Sequence, residues 1–141
     1  KKLNLKIIDK SYYLKLSHKE GVPTEGVKDL QNNLFGLESN FEELNAIDFK
    51  KGCFVGQENT ARMKLKNKLR RRLLPVTSNK PLMVSDEIKF NNEIVGKVLI
   101  GDQYSFALIK LFDPDLKTFL KQNLKVKESN IQILNPFFFK I

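Results

Sequence analysis

The sequence predicts an α+β chain that ends in a small antiparallel β-barrel, and three observations carry that prediction. Helical stretches with recognisable start and stop residues belong to the first half. From Pro75 onward, short apolar segments alternate with turn residues, as antiparallel strands require. A hydrophobic content of 41% in 141 residues is enough to give both parts a core.

Taken in order, Leu3, Leu5 and Ile7 alternate with polar neighbours and predict a strand. Residues 11–20 predict a helix that Ser11 caps and Gly21 ends, with Pro23 just beyond. Residues 24–33 are a polar connection with room for one short helical turn. In residues 34–49, Asn40 with Glu43 three positions on resembles a helix start, and Phe41, Leu44 and Ile47 supply a short apolar stripe. A brief helix or turn is expected there. Residues 59–74 hold the strongest periodicity: Arg62, Lys64, Lys66, Lys68 and Arg70 alternate with Met63, Leu65, Asn67 and Leu69. A period of two predicts a strand with one positive face. Leu73, Leu74 and Val76 begin a further strand or continue past a bulge. Beyond them, residues 82–84, 88–90, 94–100 and 104–111 read as strands, with hairpin connections at Asn91-Asn92 and Gly101-Asp102. Asp113-Pro114 breaks the run, residues 116–124 predict a short helix, and residues 125–134 return to strand. Closing such strands into a barrel removes exposed edges.

Lys and Arg number 25 against 16 Asp and Glu, a net charge of +9 that suits an anionic partner without choosing one. A single cysteine excludes an internal disulfide, and no apolar run is long enough to span a bilayer. The expected setting is reduced and cytoplasmic, with no membrane partner. The start at Lys1-Lys2-Leu3 reads as that of a piece of a longer protein.

That one cysteine is the leading candidate for chemistry. Cys53 follows Lys51-Gly52 and precedes Phe54-Val55-Gly56-Gln57-Glu58. A nearby cation and exposed backbone N–H groups lower a thiol's pKa, and flanking glycines let backbone approach it closely. The competing reading is a buried, inert thiol. A structural zinc site needs four ligands, whereas the chain offers one Cys and one His, so no metal site is expected in isolation. Nothing in the sequence places His18 beside Cys53 as a base, and His18 reads as a packing or helix-surface residue. Glu58 and Arg62 would pair if the intervening chain were helical. Glu38 reads as a backbone cap or a ligand acceptor.

Lys50-Lys51-Gly52-Cys53-Phe54-Val55-Gly56-Gln57-Glu58, with Arg62 following, resembles the signature of the YgfZ/IBA57-type folate-binding, iron–sulfur assembly family. That family sits in the GcvT-like aminomethyltransferase superfamily. Gly21-Val22-Pro23, Glu38-Ser39-Asn40, residues 44–49 and Arg71-Arg72-Leu73 extend the resemblance across most of the first half. It implies the C-terminal part of a GcvT-like folate-binding fold: residues 1–70 as the remaining folate-binding region with the KGCFVGQE motif, and residues 71–141 as a β-barrel-like domain. Under the resemblance Cys53 is the functional thiol and Lys51 its positive neighbour. Gly52, Gly56, Gln57, Glu58 and Arg62 support the motif, while Glu38 and Asn40 contact the cofactor. Tetrahydrofolate or a related folate is the implied cofactor, with no permanently bound metal and Cys53 a transient metal ligand. The implied partners are iron–sulfur client or assembly proteins and the absent N-terminal region, with an indirect link to tRNA modification. Ser17 stands where many relatives carry Arg, Gly36 where they carry Pro, and Phe54 where Tyr is common; these departures bear on ligand preference more than on fold. A non-catalytic accessory protein is therefore preferred over an aminomethyltransferase-like enzyme or an RNA-binding module built on the basic residues.

Overall fold

In this computed structural model the described residues are 6–52, 58–65, 69–111 and 122–138. Helix α1 spans Lys10–Lys19 and is capped by Asp9, whose carboxylate accepts the Ser11 N–H at 2.7 Å. The cap is thus Asp9 and not Ser11, because an Asp side chain reaches the first free N–H two residues on. At the other end Gly21 adopts φ +74, and its N–H donates to the His18 carbonyl at 3.0 Å. A left-handed residue there closes the last turn, as Gly does best. Residues 6–9 form no regular structure, and the rest of the strand expected at Leu3 and Leu5 lies outside the described residues.

A 3₁₀ turn at Val27–Leu30 occupies the polar connection. Residues 36–45 are consecutive turns rather than a helix. Asn40 and Asn45 sit at φ 61 and φ 56, left-handed conformations that interrupt any helix begun in the segment. Helix α2, Glu58–Leu65, replaces the strand expected from the charge alternation. Ala61, Arg62, Met63, Lys64 and Leu65 are all strong helix formers, and Glu58 pairs with Arg62 one turn on at 2.5 Å. Local propensity outweighs an alternation that no packed sheet supports.

The second half is a closed six-stranded antiparallel barrel. Its strands are β1 (Arg71–Ser78), β2 (Glu87–Phe90), β3 (Glu93–Ile100), β4 (Phe106–Lys110), β5 (Leu124–Val126) and β6 (Ser129–Ile133). Around the barrel they run β1-β4-β3-β2-β5-β6. The α+β class ending in a small antiparallel barrel is therefore what the chain adopts. Asn91 and Asn92 make the β2–β3 hairpin, both with positive φ, as a tight two-residue turn demands. Residues 82–84 are not a strand, although Leu82 is buried in the barrel core. The single strand expected over residues 125–134 is a β5–β6 hairpin that turns at Lys127, φ 52. Of the helix expected at 116–124, residues 116–121 lie outside the described residues, and Leu124 opens β5.

Two apolar clusters hold the fold together. Leu74, Val76, Ile88, Val98, Ile109, Leu124 and Ile131 fill the barrel interior. Leu73, Leu99, Ile100, Phe106 and Leu108 form the other cluster, and Leu30 and Leu34 from the first half pack against it. Residues 73–76 of β1 and 106–109 of β4 are consequently buried on both faces. That explains why they read as unbroken apolar runs rather than alternations.

Candidate functional site

The candidate site is the segment between residues 50 and 58, of which 53–57 lie outside the described residues, and the structure describes what stands on either side of it. The segment before it is anchored to β1. Strand β1 changes neighbour along its length, pairing with β4 from Arg71 to Pro75 and with β6 from Val76 to Ser78. Beside Leu73, residues 38–40 supply backbone partners. The Leu73 N–H donates to the Glu38 carbonyl at 2.8 Å, and Asn40 Nδ2 donates to the Leu73 carbonyl at 2.7 Å. Two buried backbone groups are thereby satisfied without a strand.

Side chains reinforce this clasp. The buried Glu38 carboxylate accepts from Arg71 Nε at 2.8 Å and from the Phe35 N–H at 3.0 Å. Asn40, also buried, accepts at Oδ1 from Arg72 Nη1 at 3.0 Å, and Arg72 makes a close ion pair with Glu43. Neighbouring strand residues point to opposite faces, so Arg71 and Arg72 leave β1 on two sides and find carboxylates on both. In the sequence reading Arg71 and Arg72 are named only within the family resemblance and are given no partner. The signal that would have found their partners is the acidic residues Glu38, Glu42 and Glu43 upstream.

On the far side of the loop, α2 is tied to the same segment. Lys64 Nζ reaches Glu42 Oε1 at 2.6 Å and Oε2 at 2.8 Å and lies 5.8 Å from the centre of the Phe49 ring. Asp48 Oδ1 accepts the Lys50 N–H at 2.8 Å, which turns the chain into the loop. Lys51 and Gly52 are exposed, and a Cβ on Gly52 would meet nothing within 4 Å. Glu58 and Arg62 are exposed and paired. Cys53, Gly56 and Gln57 lie outside the described residues. Among the described residues, 62–65 do not form the positive strand face expected from Arg62 to Arg70: Arg62 and Lys64 are on α2 and each engages a carboxylate, while Lys66 and Lys68 lie outside the described residues.

His18 is buried against the segment 104–106. Its Nε2 lies 2.9 Å from the Ser105 carbonyl, and its ring meets Tyr104 and Phe106 edge-on at 5.7 and 5.2 Å. Burial lowers its pKa, so the neutral ring is favoured. It is a packing residue. Among the described residues, no group of three His, Cys, Asp or Glu side chains is arranged to hold a metal. An open hollow of about 420 Å³ lies between the Gly21-Val22-Pro23 turn and the 34–44 segment, lined by Val22, Pro23, Leu30, Leu34, Phe41 and Leu44 among others.

No family model matches the chain. Curated relatives do. The chain is 42% identical over 69 residues to the mitochondrial iron–sulfur cluster assembly factor IBA57 homolog of Dictyostelium discoideum, covering 48% of this chain and 17% of that protein. It is 43% identical over 74 residues to mitochondrial IBA57 of Mus musculus, 52% of this chain and 20% of the relative. With the Homo sapiens protein it shares 43% identity over 105 residues, 70% of this chain and 29% of the relative. The chain belongs to the IBA57-type family. It spans less than a third of the length of these IBA57 relatives. The expected cytoplasmic location is corrected by the same finding, because these IBA57 proteins are mitochondrial. A lone reduced thiol and the absence of a long apolar run are equally compatible with a mitochondrial compartment, so composition had no power to separate the two. Among the described residues, no helix is long and apolar enough to cross a membrane.

Proposed function

We propose that this chain is the thiol-bearing part of a mitochondrial iron–sulfur cluster assembly factor, with Cys53 as its functional group. The observation that carries the reading is the similarity to named assembly factors over as many as 105 residues. Lys51 and the N-terminal end of α2 flank the thiol in sequence, and both cations and helix N-termini stabilise a thiolate. The cluster is cargo in this reading: one thiolate holds iron transiently, and the remaining ligands come from a client or assembly protein. Enzymes that thiolate tRNA are one class of client.

Tetrahydrofolate or a related folate is the proposed companion ligand. The hollow of about 420 Å³ has the size and apolar lining for one aromatic ring system, with Gln31, Asn32 and Ser39 as polar groups at its wall. When bound, the folate would supply a redox-sensitive one-carbon carrier. Glu38 and Asn40 serve it indirectly, since their side-chain polar atoms are engaged by Phe35, Arg71, Arg72 and Leu73. They position the 34–49 segment against the barrel. The rest of the family's chain length would complete the pocket.

The test is Cys53→Ser in the full-length protein, with cluster content and activity of mitochondrial iron–sulfur enzymes measured in cells lacking the native copy. The expected result is loss of client activity at unchanged thermal stability. Full rescue by the variant would sink the proposed thiol role. Tetrahydrofolate titration of the same variant separates the two parts, because folate affinity is expected to survive the serine.

A further inference from the structure

The side of α1 turned away from the barrel is apolar. Its inner side, with Leu14, Ser17 and His18, is buried. At 3.6 residues per turn, Tyr12 and Leu16 fall opposite those residues and Tyr13 lies beside them. Ile7 and Ile8, in the irregular segment that leads into α1, add two more apolar side chains. Ile7 is 99% exposed, Ile8, Tyr12 and Tyr13 are more than half exposed, and Leu16 is 46% exposed. The solvent side of a helix ordinarily carries polar residues, and a single apolar side chain there would need no explanation. Five such residues between Ile7 and Leu16 form a patch of the kind that marks an interaction surface.

The helix is not free to roll and hide this face. His18 Nε2 lies 2.9 Å from the Ser105 carbonyl, and the Tyr104 hydroxyl donates to the Ser11 carbonyl at 3.3 Å, so α1 is fixed to the barrel near both of its ends. The segment before it is also unpaired. Among the described residues, 6–8 make no backbone–backbone hydrogen bond, although Ile7 continues the alternation of Leu3 and Leu5 that predicts a strand. A strand needs a neighbour to take its N–H and C=O groups.

Chain length and attachment favour one occupant. The matched stretches cover 17%, 20% and 29% of the three IBA57 relatives, so most of the length of those relatives has no counterpart in this chain. Chain joined ahead of residue 6 arrives at Ile7 and Ile8, immediately beside the stripe. A segment tethered that closely meets the face at an effective concentration on the order of millimolar, an advantage that a client or a second copy lacks. We propose that the outer face of α1, with Ile7 and Ile8, is the surface onto which the N-terminal part of the full-length protein folds. That part lays an apolar face over Tyr12, Tyr13 and Leu16 and pairs its backbone with residues 6–8. Lys15 and Lys19, exposed along one border of the stripe, select acidic residues at the rim of the occupant. This surface is independent of the Cys53 and folate readings.

The test places the photoreactive residue p-benzoylphenylalanine at Tyr12, and separately at Leu16, in the full-length protein. Links are mapped by mass spectrometry in a mixture of isotope-labelled and unlabelled copies. Links within one molecule, to peptides that precede Lys1, are expected. Links that join labelled to unlabelled copies, links to other proteins only, or no links at all would overturn the proposal. Tyr12→Ser and Leu16→Ser read the same surface by stability. Each is expected to lower the melting temperature of the full-length protein by about 4–8 °C, as truncation of a covered apolar residue does. An uncovered surface residue would move it by less than about 2 °C, and that outcome in both variants would equally overturn the assignment.

Discussion

At the scale of single residues, the buried polar groups decide more than the exposed ones. Asn40 occupies a left-handed φ of 61 and satisfies the Leu73 carbonyl at 2.7 Å. Replacing it by alanine strands that carbonyl and strains the backbone, so Asn40→Ala should cost about 2–4 kcal/mol in urea denaturation. Aspartate, which tolerates the conformation but cannot donate, should recover only the backbone part. Arg62→Ala offers the opposite case. Its pair with Glu58 is exposed, at 65% and 74%, and the expected loss is below about 0.5 kcal/mol. His18 sets a pH dependence. Its folded pKa is depressed below the ordinary 6.5 by burial, so the unfolded chain takes up the proton first as pH falls. Stability should be complete above about pH 7 and decline as pH drops through 6.5 toward the lowered folded value. Melting temperatures between pH 8 and pH 5 should show that decline, and His18→Leu should flatten it.

At the scale of elements, α2 shows how a correct pattern can point to the wrong structure. The alternation of Arg62, Lys64 and Lys66 with Met63 and Leu65 fits a strand, yet a strand needs a neighbour to take its backbone bonds. The 58–65 segment satisfies its own bonds as a helix and anchors itself through Lys64 on Glu42. The β-half was more legible, because Asn91-Asn92 and the apolar runs around it report turn chemistry directly. Gly96 marks a constraint on the β3–β4 pair. A Cβ there would lie 2.5 Å from the Leu108 carbonyl oxygen, which is backbone and cannot step aside. Gly96→Ala is expected to destabilise the barrel by about 2–4 kcal/mol, seen as a lower melting temperature with premature exchange of the β3 and β4 amides.

At the scale of the whole molecule, the barrel and the first half share an apolar seam. Leu73, Leu99, Ile100, Phe106 and Leu108 lie on the barrel exterior and are covered in part by Leu30 and Leu34. A piece comprising residues 71–138 alone should therefore bind hydrophobic dyes and self-associate in gel filtration; a monomeric, non-sticky barrel would count against the seam. The sequence by itself determined the α+β class, the barrel's hairpin turn at Asn91-Asn92 and the family, because turn residues, apolar runs and the Lys51-to-Glu58 motif are local features readable in order. Only the tertiary structure decided that residues 38–40 satisfy Leu73 at the edge of β1, that Arg71 and Arg72 find carboxylates at Glu38 and Glu43, and that Lys89 faces Lys125. Those partners lie between 29 and 36 positions apart in the chain. Local propensity has no reach over such distances; packing of residues 38–43 on β1 and pairing of β2 with β5 bring them together.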